Sequence, residues 1–170
     1  GKIINTDLAR ELMPEYADKA TRAEYQSATS GPAREYARDR ILRDLERTPE
    51  RADGEPRRLL VTAGGAGSGK TTTLKGMINA ADLVFDSQLR SAERAAELIE
   101  AAKAKGWRVM VSYVGRPIRE AVRGAVDRAT TELRSVTDIA GKHAEARRAM
   151  VELAARYKDD PSVEIRWFDN

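Results

Sequence analysis

One segment of the chain has the residue types and the spacing of a phosphate-binding loop. Residues 64–71 read Gly-Gly-Ala-Gly-Ser-Gly-Lys-Thr and match the pattern G-x-x-x-x-G-K-[S/T] without deviation. Glycines let backbone N–H groups curl around a phosphate, and a following helix adds partial positive charge. We expect Lys70 to reach the β- and γ-phosphates of ATP or GTP and Thr71 to ligate Mg²⁺. The residues predicted to bind the nucleotide are Gly65, Ala66, Gly67, Ser68, Gly69, Lys70, Thr71 and Thr72.

A carboxylate that would complete the metal site follows a short apolar run. Residues 83–85 are Leu-Val-Phe, and Asp86 comes directly after them. If this strand lies beside the strand that leads into the loop, Asp86 would bind Mg²⁺ directly or through a water molecule. The alternative is a cap of a helix or turn, a role that aspartate often has at the end of a strand.

A second carboxylate, Asp7, follows the apolar run at residues 2–6. At the end of a strand it would point into the crevice where nucleotide and acceptor meet, and it could take the proton of an acceptor hydroxyl. The alternative is an N-cap of the helix that starts at Leu8. The local sequence pattern alone favours the cap.

The elements that must position these residues alternate along the chain. Apolar runs rich in branched residues predict strands at 2–6, 59–63, 83–85, 108–114 and 163–168. Helical patterns occupy 7–15, 32–47, the residues after 70, 91–105, 117–133 and a last segment from 137 or 138 to before 159. This alternation predicts an α/β fold with a parallel sheet of about five strands. Residues 47–58, with two prolines, a glycine and many charges, predict an exposed connector.

Composition bounds the remaining possibilities. The 170 residues fit one domain, and 30 basic against 27 acidic side chains give a net charge of +3. These charges are interleaved, so a nucleic-acid partner is not favoured. The absence of cysteine excludes disulfides and thiolate sites, and the single histidine, His143, excludes a multi-histidine metal site; we assign His143 no catalytic role. No apolar run approaches the ~20 residues of a membrane helix, so a cytoplasmic location is expected.

The chain after the P-loop resembles the zeta toxin family of P-loop kinases. Residues 83–91 (LVFDSQLRS) resemble the family's strand that ends in an acid-Gly-Thr motif, although Ser87 and Gln88 replace Gly-Thr. Residues 104–117 (AKGWRVMVSYVGRP) resemble its Gly-aromatic turn, next strand and Pro-initiated helix, and residues 159–170 resemble its terminal strand. Arg128 and Arg134 resemble its lid arginines, which would neutralise the transferring phosphoryl group.

The resemblance also implies a permuted order of segments. In the family the P-loop is followed by a strand that ends in an aspartate general base and by helices with substrate contacts. Only about a dozen residues separate Thr71 from Leu83, too few for that segment, whereas residues 3–16 (IINTDLARELMPEY) and 28–47 resemble it. We therefore expect one domain, 1–170, in which residues 1–47 are transposed ahead of the P-loop block. Residues 48–58 would be the connector, and 59–170 would hold the P-loop, the Walker B-like strand, the lid and the last strand.

This resemblance assigns roles and a reaction. Asp7 becomes the general base, Arg10 contacts phosphate groups of the acceptor, and Asp39 and Asp86 contact the acceptor as well. The expected reaction transfers the γ-phosphoryl group of ATP or GTP to the 3′-hydroxyl of a nucleotide sugar, UDP-N-acetylglucosamine. The expected consequence is toxicity through blocked cell-wall synthesis, in a bacterial cytoplasm or in a target cell if the protein is a delivered effector. An antitoxin protein is the expected partner.

The sequence leaves two other functions to consider. The first is a catalytically degenerate nucleotide-binding module of a larger plasmid or effector protein, which the Ser87-Gln88 departure and the short lid favour. The second is a switch GTPase, which needs the guanine-reading motif N-K-x-D. The asparagines are Asn5, Asn79 and Asn170, and none begins that motif, so the sequence disfavours a GTPase.

Overall fold

Five parallel strands form one sheet in the computed structural model, which describes residues 2–65, 68–132 and 138–170, with only the backbone for 128–132. The strands are β1 (Lys2–Asn5), β2 (Arg58–Ala63), β3 (Leu83–Asp86), β4 (Arg108–Gly115) and β5 (Val163–Asp169). Their order across the sheet is β1-β3-β2-β4-β5. The five predicted strands and the α/β class are confirmed.

Nine helices connect or follow these strands in the described residues. They are α1 (Thr6–Arg10), α2 (Pro14–Ala17), α3 (Arg22–Tyr25), α4 (Ser30–Arg47), α5 (Lys70–Thr73), α6 (Lys75–Ala80), α7 (Ala92–Lys103), α8 (Ile118–Glu132) and α9 (Ile139–Arg156). The single helix predicted for 7–15 is wrong, because Met13 is extended at φ −97° and ψ 119° and Pro14 begins a new helix. The short helix α3 was not predicted.

The helix after the P-loop is broken into two pieces. Leu74, with φ −97° and ψ 10°, separates α5 from α6. Its side chain is nevertheless fully buried. The P-loop helix therefore presents a short first turn, residues 70–73, to the carboxyl edge of the sheet.

The two faces of the sheet are covered unequally. Because side chains alternate along a strand, Leu59 and Val61 face the main core, which α4, α7 and α9 complete with residues such as Ile41, Ile99 and Met150. On the other face, a small cluster of Leu60, Ala81 and Val84 packs against side chains of α6. Strand β5 lies at an edge of the sheet, and its side chains are largely exposed.

The amino edge of the sheet is held by ionic and backbone contacts. The amide of Lys2 donates to the carbonyl of Asp82 at 3.3 Å, and the amide of Arg58 donates to the Asp82 carboxylate at 2.8 Å. Arg51, from the turns of residues 48–57, donates to the same carboxylate at 3.2 Å. The starts of β1, β2 and β3 therefore lie together around Asp82. Within the described ranges, no helix combines the length and apolar character needed to cross a membrane.

Candidate active site

The ends of three adjacent strands bring polar side chains to one level of the sheet. Asn5 of β1 is in register with Asp86 of β3, and Asp86 is in register with Thr62 of β2. The Thr62 hydroxyl donates to Asp86 Oδ1 at 2.6 Å, and the Ser87 hydroxyl donates to the Thr62 carbonyl at 3.2 Å. Asp86 therefore lies directly beside the strand that leads into the P-loop.

The cap expected as the alternative role of Asp86 belongs to another residue. Ser91 caps α7, and its hydroxyl accepts from the amide of Arg94 at 3.3 Å. The Asp86 carboxylate accepts instead from a side chain on the neighbouring strand. Its position fits the predicted Walker B-like role better than a local capping role.

The P-loop begins at a crowded glycine. Gly64 has φ +135°, and a β-carbon there would lie 2.6 Å from the Val114 carbonyl oxygen and 2.9 Å from Ser68 Oγ. Lys70 Nζ donates to the Gly64 carbonyl at 3.1 Å, so its ammonium group lies over the first turn of the loop. The predicted nucleotide-binding residues Ala66 and Gly67 lie outside the described residues.

Near the end of the loop, the buried hydroxyl group of Ser68 can still form a hydrogen bond. Ser68 is 1% exposed, and its Oγ has no hydrogen-bond partner among the described residues. Its carbonyl accepts from Asn170 Nδ2 at 2.9 Å, and the amide of Asn170 donates to the Gly115 carbonyl at 3.0 Å. Gly69, at φ +82°, has no room for a β-carbon because Asn170 lies against it. A buried hydroxyl donor and a glycine cradle fit a phosphate oxygen.

The predicted metal ligand Thr71 lies in the first turn of α5. Thr71 and Thr72 are both exposed, directly after Lys70. A hydroxyl in this position is accessible to an ion at the phosphates. Within the described residues, no group of three or more histidine, aspartate and glutamate side chains is arranged to hold a metal ion.

Asp7 is not the cap of its helix. Asn5 has that role, since its Oδ1 accepts from the amide of Leu8 at 2.6 Å. The alternative interpretation of Asp7 as the N-cap is therefore wrong. The Asp7 carboxylate lies in the first turn of α1, two residues beyond the Asn5–Asp86 register pair, and its side chain is 51% exposed.

Arg10 carries a buried nitrogen at the same corner. Its Nη1 lies 3.4 Å from Asp7 Oδ1, while its Nε is buried without a hydrogen-bond partner in the described part of the chain. The guanidinium group lies 5.5 Å from the ring centre of Tyr16, and Arg22 lies 5.1 Å from the same ring. The Tyr16 hydroxyl is also buried without a hydrogen-bond partner among those residues.

Lys142 of α9 lies close enough to Arg10 and Arg90 for their charges to act on it. Burial lowers the pKa of Lys142, and the positive charges of Arg90 and Arg10 lower it further, against the opposite influence of Asp138 and Glu145. Arg90 forms an ion pair with Glu145, one turn after Lys142 on α9. Acidic and basic side chains therefore alternate at this corner, and a phosphate ligand would find three basic groups within one region of the surface. The sequence interpretation missed Arg90 and Lys142 because no local pattern relates them to residue 10.

His143 contacts the P-loop from α9. The residue is 9% exposed, and a β-carbon added at Gly65 would overlap its imidazole ring. The sequence interpretation assigned His143 no catalytic role and did not foresee this contact. The one available signal was that it is the only histidine, which carries no information on position.

One predicted site residue, Asp39, is not brought into this arrangement, and the side chains of two others, Arg128 and Arg134, lie outside what the structure describes. Asp39 is exposed on the side of α4 opposite to the buried Ala37 and Ile41, so its expected contact with the acceptor has no support in the fold. Arg128 lies in α8, where the structure describes its backbone and not its side chain. Arg134 lies outside the described residues.

Comparison with protein-family models gives one match, to the model described as Zeta toxin, over residues 77–163. The match covers slightly more than half of the chain and includes Asp86, α8 and α9. It begins after the P-loop and leaves β1 and α1 outside. No curated protein matches the chain.

Proposed function

The chain belongs to the zeta toxin family, and on this premise we propose that it is a small-molecule kinase that transfers the γ-phosphoryl group of ATP or GTP to an acceptor hydroxyl. The observation that carries the proposal is the carboxyl edge of three adjacent parallel strands. The P-loop follows β2, Asp86 ends β3, and Asp7 follows β1. In open α/β sheets, ligands bind in the crevice at this edge.

The donor half of the site is the P-loop with its neighbours. The loop amides and Ser68 Oγ would bind phosphate oxygens, and Lys70 would leave the Gly64 carbonyl for the β- and γ-phosphates. Thr71 and Asp86 would hold Mg²⁺, directly or through water, because such ions keep several waters and phosphate oxygens as ligands. When bound, Mg²⁺ neutralises charge that develops on the phosphates.

The acceptor half of the site is Asp7 with the cations beside it. Asp7 would take the proton of the acceptor hydroxyl, and the hydroxyl oxygen of the acceptor would bond to the γ-phosphorus. The bond between the γ-phosphorus and the β–γ bridging oxygen would break at the same time and release the nucleoside diphosphate. Arg10, Arg90 and Lys142 would bind phosphate groups of the acceptor. Arg128 and Arg134 would neutralise charge on the group in transfer.

The acceptor that we propose is a nucleotide sugar, with UDP-N-acetylglucosamine as the first candidate. The family resemblance supports the sugar, and the convergence of Arg10, Arg90 and Lys142 supports a ligand with phosphate groups. Phosphorylation of such a precursor would block cell-wall synthesis. We further propose a bacterial cytoplasmic location, or a target cell if the protein is delivered, and an antitoxin protein as partner.

We also propose that residues 1–47 are transposed relative to the family. The contacts around Asp82 support this, because Lys2, Arg51 and Arg58 all contact Asp82 at the amino edge. The chain ends that a transposition would join in a different order therefore already lie close together. A change of connections there leaves the carboxyl edge intact.

A relinked chain tests the transposition. Residues 58–81, 2–51 and 82–170, joined in that order by short flexible linkers, keep Asp82 and should fold and bind ATP within a few-fold of the parent. The matched control is the parent with the same linkers inserted at Gly54, in the exposed turn. A control that binds and a relinked chain that does not would contradict the transposition.

A nucleotide-binding module without catalysis is the second candidate. The observation that favours it is Ser87, whose hydroxyl donates to the Thr62 carbonyl and accepts from the amide of Leu89 at 3.2 Å. These bonds use the hydroxyl within the protein, at the position where the family has a glycine. Tight binding of ATP with no turnover on any acceptor would favour this candidate.

Phosphate transfer tests the proposed kinase directly. Purified protein would be incubated with Mg²⁺, ATP or GTP labelled at the γ-position, and a panel of sugar nucleotides and dinucleotides. We expect a labelled product with UDP-N-acetylglucosamine and its loss in Asp7→Asn, while Asp159→Asn, at an exposed site, retains it. No transfer to any acceptor would overturn the kinase, whether or not ATP binds.

A further inference from the structure

We propose that His143 is a positioning residue of the nucleotide site, which holds the first turn of the P-loop in the shape that receives the terminal phosphate of a nucleoside triphosphate. The inference rests on the proposed function and extends it to a residue to which neither the motif nor the family match assigns a role. It predicts that His143 affects the distinction between a nucleoside triphosphate and a diphosphate.

The contact is close, and any side chain at position 65 would require the His143 ring to move. The imidazole of His143 occupies the space that a side chain on residue 65 would need, and Gly65 is itself buried. The ring is largely shielded from solvent, so the backbone of Gly65 forms part of its packing surface. Displacement of the ring would therefore change the environment of that turn.

The position of Lys70 identifies which phosphate this turn serves. Lys70 Nζ lies 3.1 Å from the Gly64 carbonyl oxygen, and His143 packs against the next residue, Gly65. The ammonium group and the imidazole ring therefore contact the same turn. The lysine of such a loop reaches the β- and γ-phosphates. The first turn is therefore the end of the loop that faces the terminal phosphate.

Asn170 contacts the other end of the loop. Asn170 donates to the carbonyl of Ser68 at 2.9 Å and lies against Gly69, just before the first turn of α5. Backbone amides near that helix start cradle the α- and β-phosphates, which diphosphates and triphosphates share. Substitution of His143 should therefore affect the affinity for triphosphates more than that for diphosphates, whereas substitution of Asn170 should affect both affinities. Asn170 is the matched comparison for His143.

The test measures the affinities of the variants for a non-hydrolysable ATP analogue and for ADP, both with Mg²⁺. We expect His143→Ala to weaken binding of the ATP analogue about tenfold more than binding of ADP, the effect of one misplaced interaction. His143→Phe should restore part of the loss, because a ring again packs on Gly65. Asn170→Ala should weaken both nucleotides alike, and circular dichroism would show that each variant is folded.

A second readout uses the single histidine of an untagged chain. The imidazole signals in NMR spectra should shift more with the ATP analogue than with ADP. If His143→Ala lost the same affinity for both nucleotides, or lost none, the inference would be overturned. The proposed function would still stand in that case, provided that the parent binds nucleotide and Lys70→Ala does not. A parent chain that binds neither nucleotide would overturn both.

Discussion

The two edges of the sheet use their polar side chains in different ways. At the amino edge, charged groups contact one another: Asp82 accepts from Arg51 and from the amide of Arg58, and Lys2 pairs with Asp44 at 2.7 Å. At the carboxyl edge, buried polar atoms remain without hydrogen-bond partners. Over the described residues, these side-chain atoms are Arg10 Nε, Tyr16 Oη and Ser68 Oγ.

This difference separates stability from function. A buried polar atom without a partner costs about 1–3 kcal/mol relative to a paired one, so its retention needs an explanation such as a missing ligand. All three unpaired atoms belong to the P-loop or to the segment that follows β1. We infer that the amino edge holds the chain together and that the carboxyl edge keeps hydrogen-bonding capacity for phosphates.

The largest expected effect comes from the P-loop lysine. Lys70→Ala should lower kcat/KM for phosphoryl transfer by about 10³-fold or more, because the charge that stabilises the transferring group is removed. Lys75→Ala, at an exposed position of α6, is the control and should retain parental activity. Equal activity of the two variants would remove the P-loop from the mechanism.

The general base gives the next largest effect. Asp7→Asn should lower kcat by about 10²- to 10⁴-fold, because the acceptor hydroxyl loses its proton acceptor. The affinity for ATP, measured by calorimetry, should change little, because Asp7 lies beyond β1 and the P-loop follows β2. A fall in ATP affinity with kcat unchanged would give Asp7 a binding role instead.

A substitution at the amino edge should act on stability alone. Trp107 is 1% exposed, its Nε1 donates to the Leu45 carbonyl at 3.2 Å, and Arg57 lies 4.8 Å from its ring centre. Trp107→Ala should lower the free energy of unfolding by about 3–5 kcal/mol, as loss of a buried aromatic side chain does. Urea titration measures this loss. Nucleotide affinity of the folded fraction should equal that of the parent, and a specific loss of affinity would break the division between the edges.

Ser68 should show the opposite pattern. Ser68→Ala removes a buried hydroxyl that has no partner among the described residues, so the protein without nucleotide should lose less than about 1 kcal/mol or gain stability. Binding of ATP should weaken by about 3- to 10-fold, because a donor to phosphate is lost. Thermal unfolding with and without nucleotide measures both effects. Marked destabilisation without nucleotide would show that the hydroxyl has a structural partner.

The smallest effect is a pH dependence at the amino edge. Lys103, assisted by Ser162, lowers the pKa of Asp160 to about 2. Because the folded pKa lies below the ordinary value of 3.8, the stabilisation is complete above about pH 4 and is lost as the pH falls through 2. Asp160→Asn should therefore unfold at a lower temperature than the parent at pH 6, and the difference should shrink strongly by pH 2, where about half of the folded carboxylates are protonated. A difference as large at pH 2 as at pH 6 would contradict this ion pair.

The sequence predicted those features that depend on neighbouring residues. The strands at 59–63 and 83–85 and the glycine loop between them were found because apolar runs and glycine spacing are local patterns. The local pattern favoured Asp7 as the helix cap, but Asn5 caps α1, because asparagine suits the position as well as aspartate and stands two residues earlier.

The contacts that complete the candidate site depend on residues far apart in the chain. His143 meets Gly65, and Asn170 meets Ser68, only after α9 and β5 have packed onto the sheet. No periodicity or spacing in the sequence predicts such long-range contacts. Asp39 shows a related limit of sequence patterns, since a position carried over from a family places a residue along a helix but does not decide which side of that helix faces the site.

A crystal structure with Mg²⁺ and a non-hydrolysable ATP analogue tests the central claim most directly. The account predicts the triphosphate in the loop, Lys70 moved from the Gly64 carbonyl to the phosphates, and the Asp7 carboxylate about 6–7 Å from the γ-phosphorus, the span of one hydrogen-bonded acceptor hydroxyl placed for attack. A nucleotide bound elsewhere, or an Asp7 carboxylate much farther from the γ-phosphorus, would contradict a kinase site at the carboxyl edge.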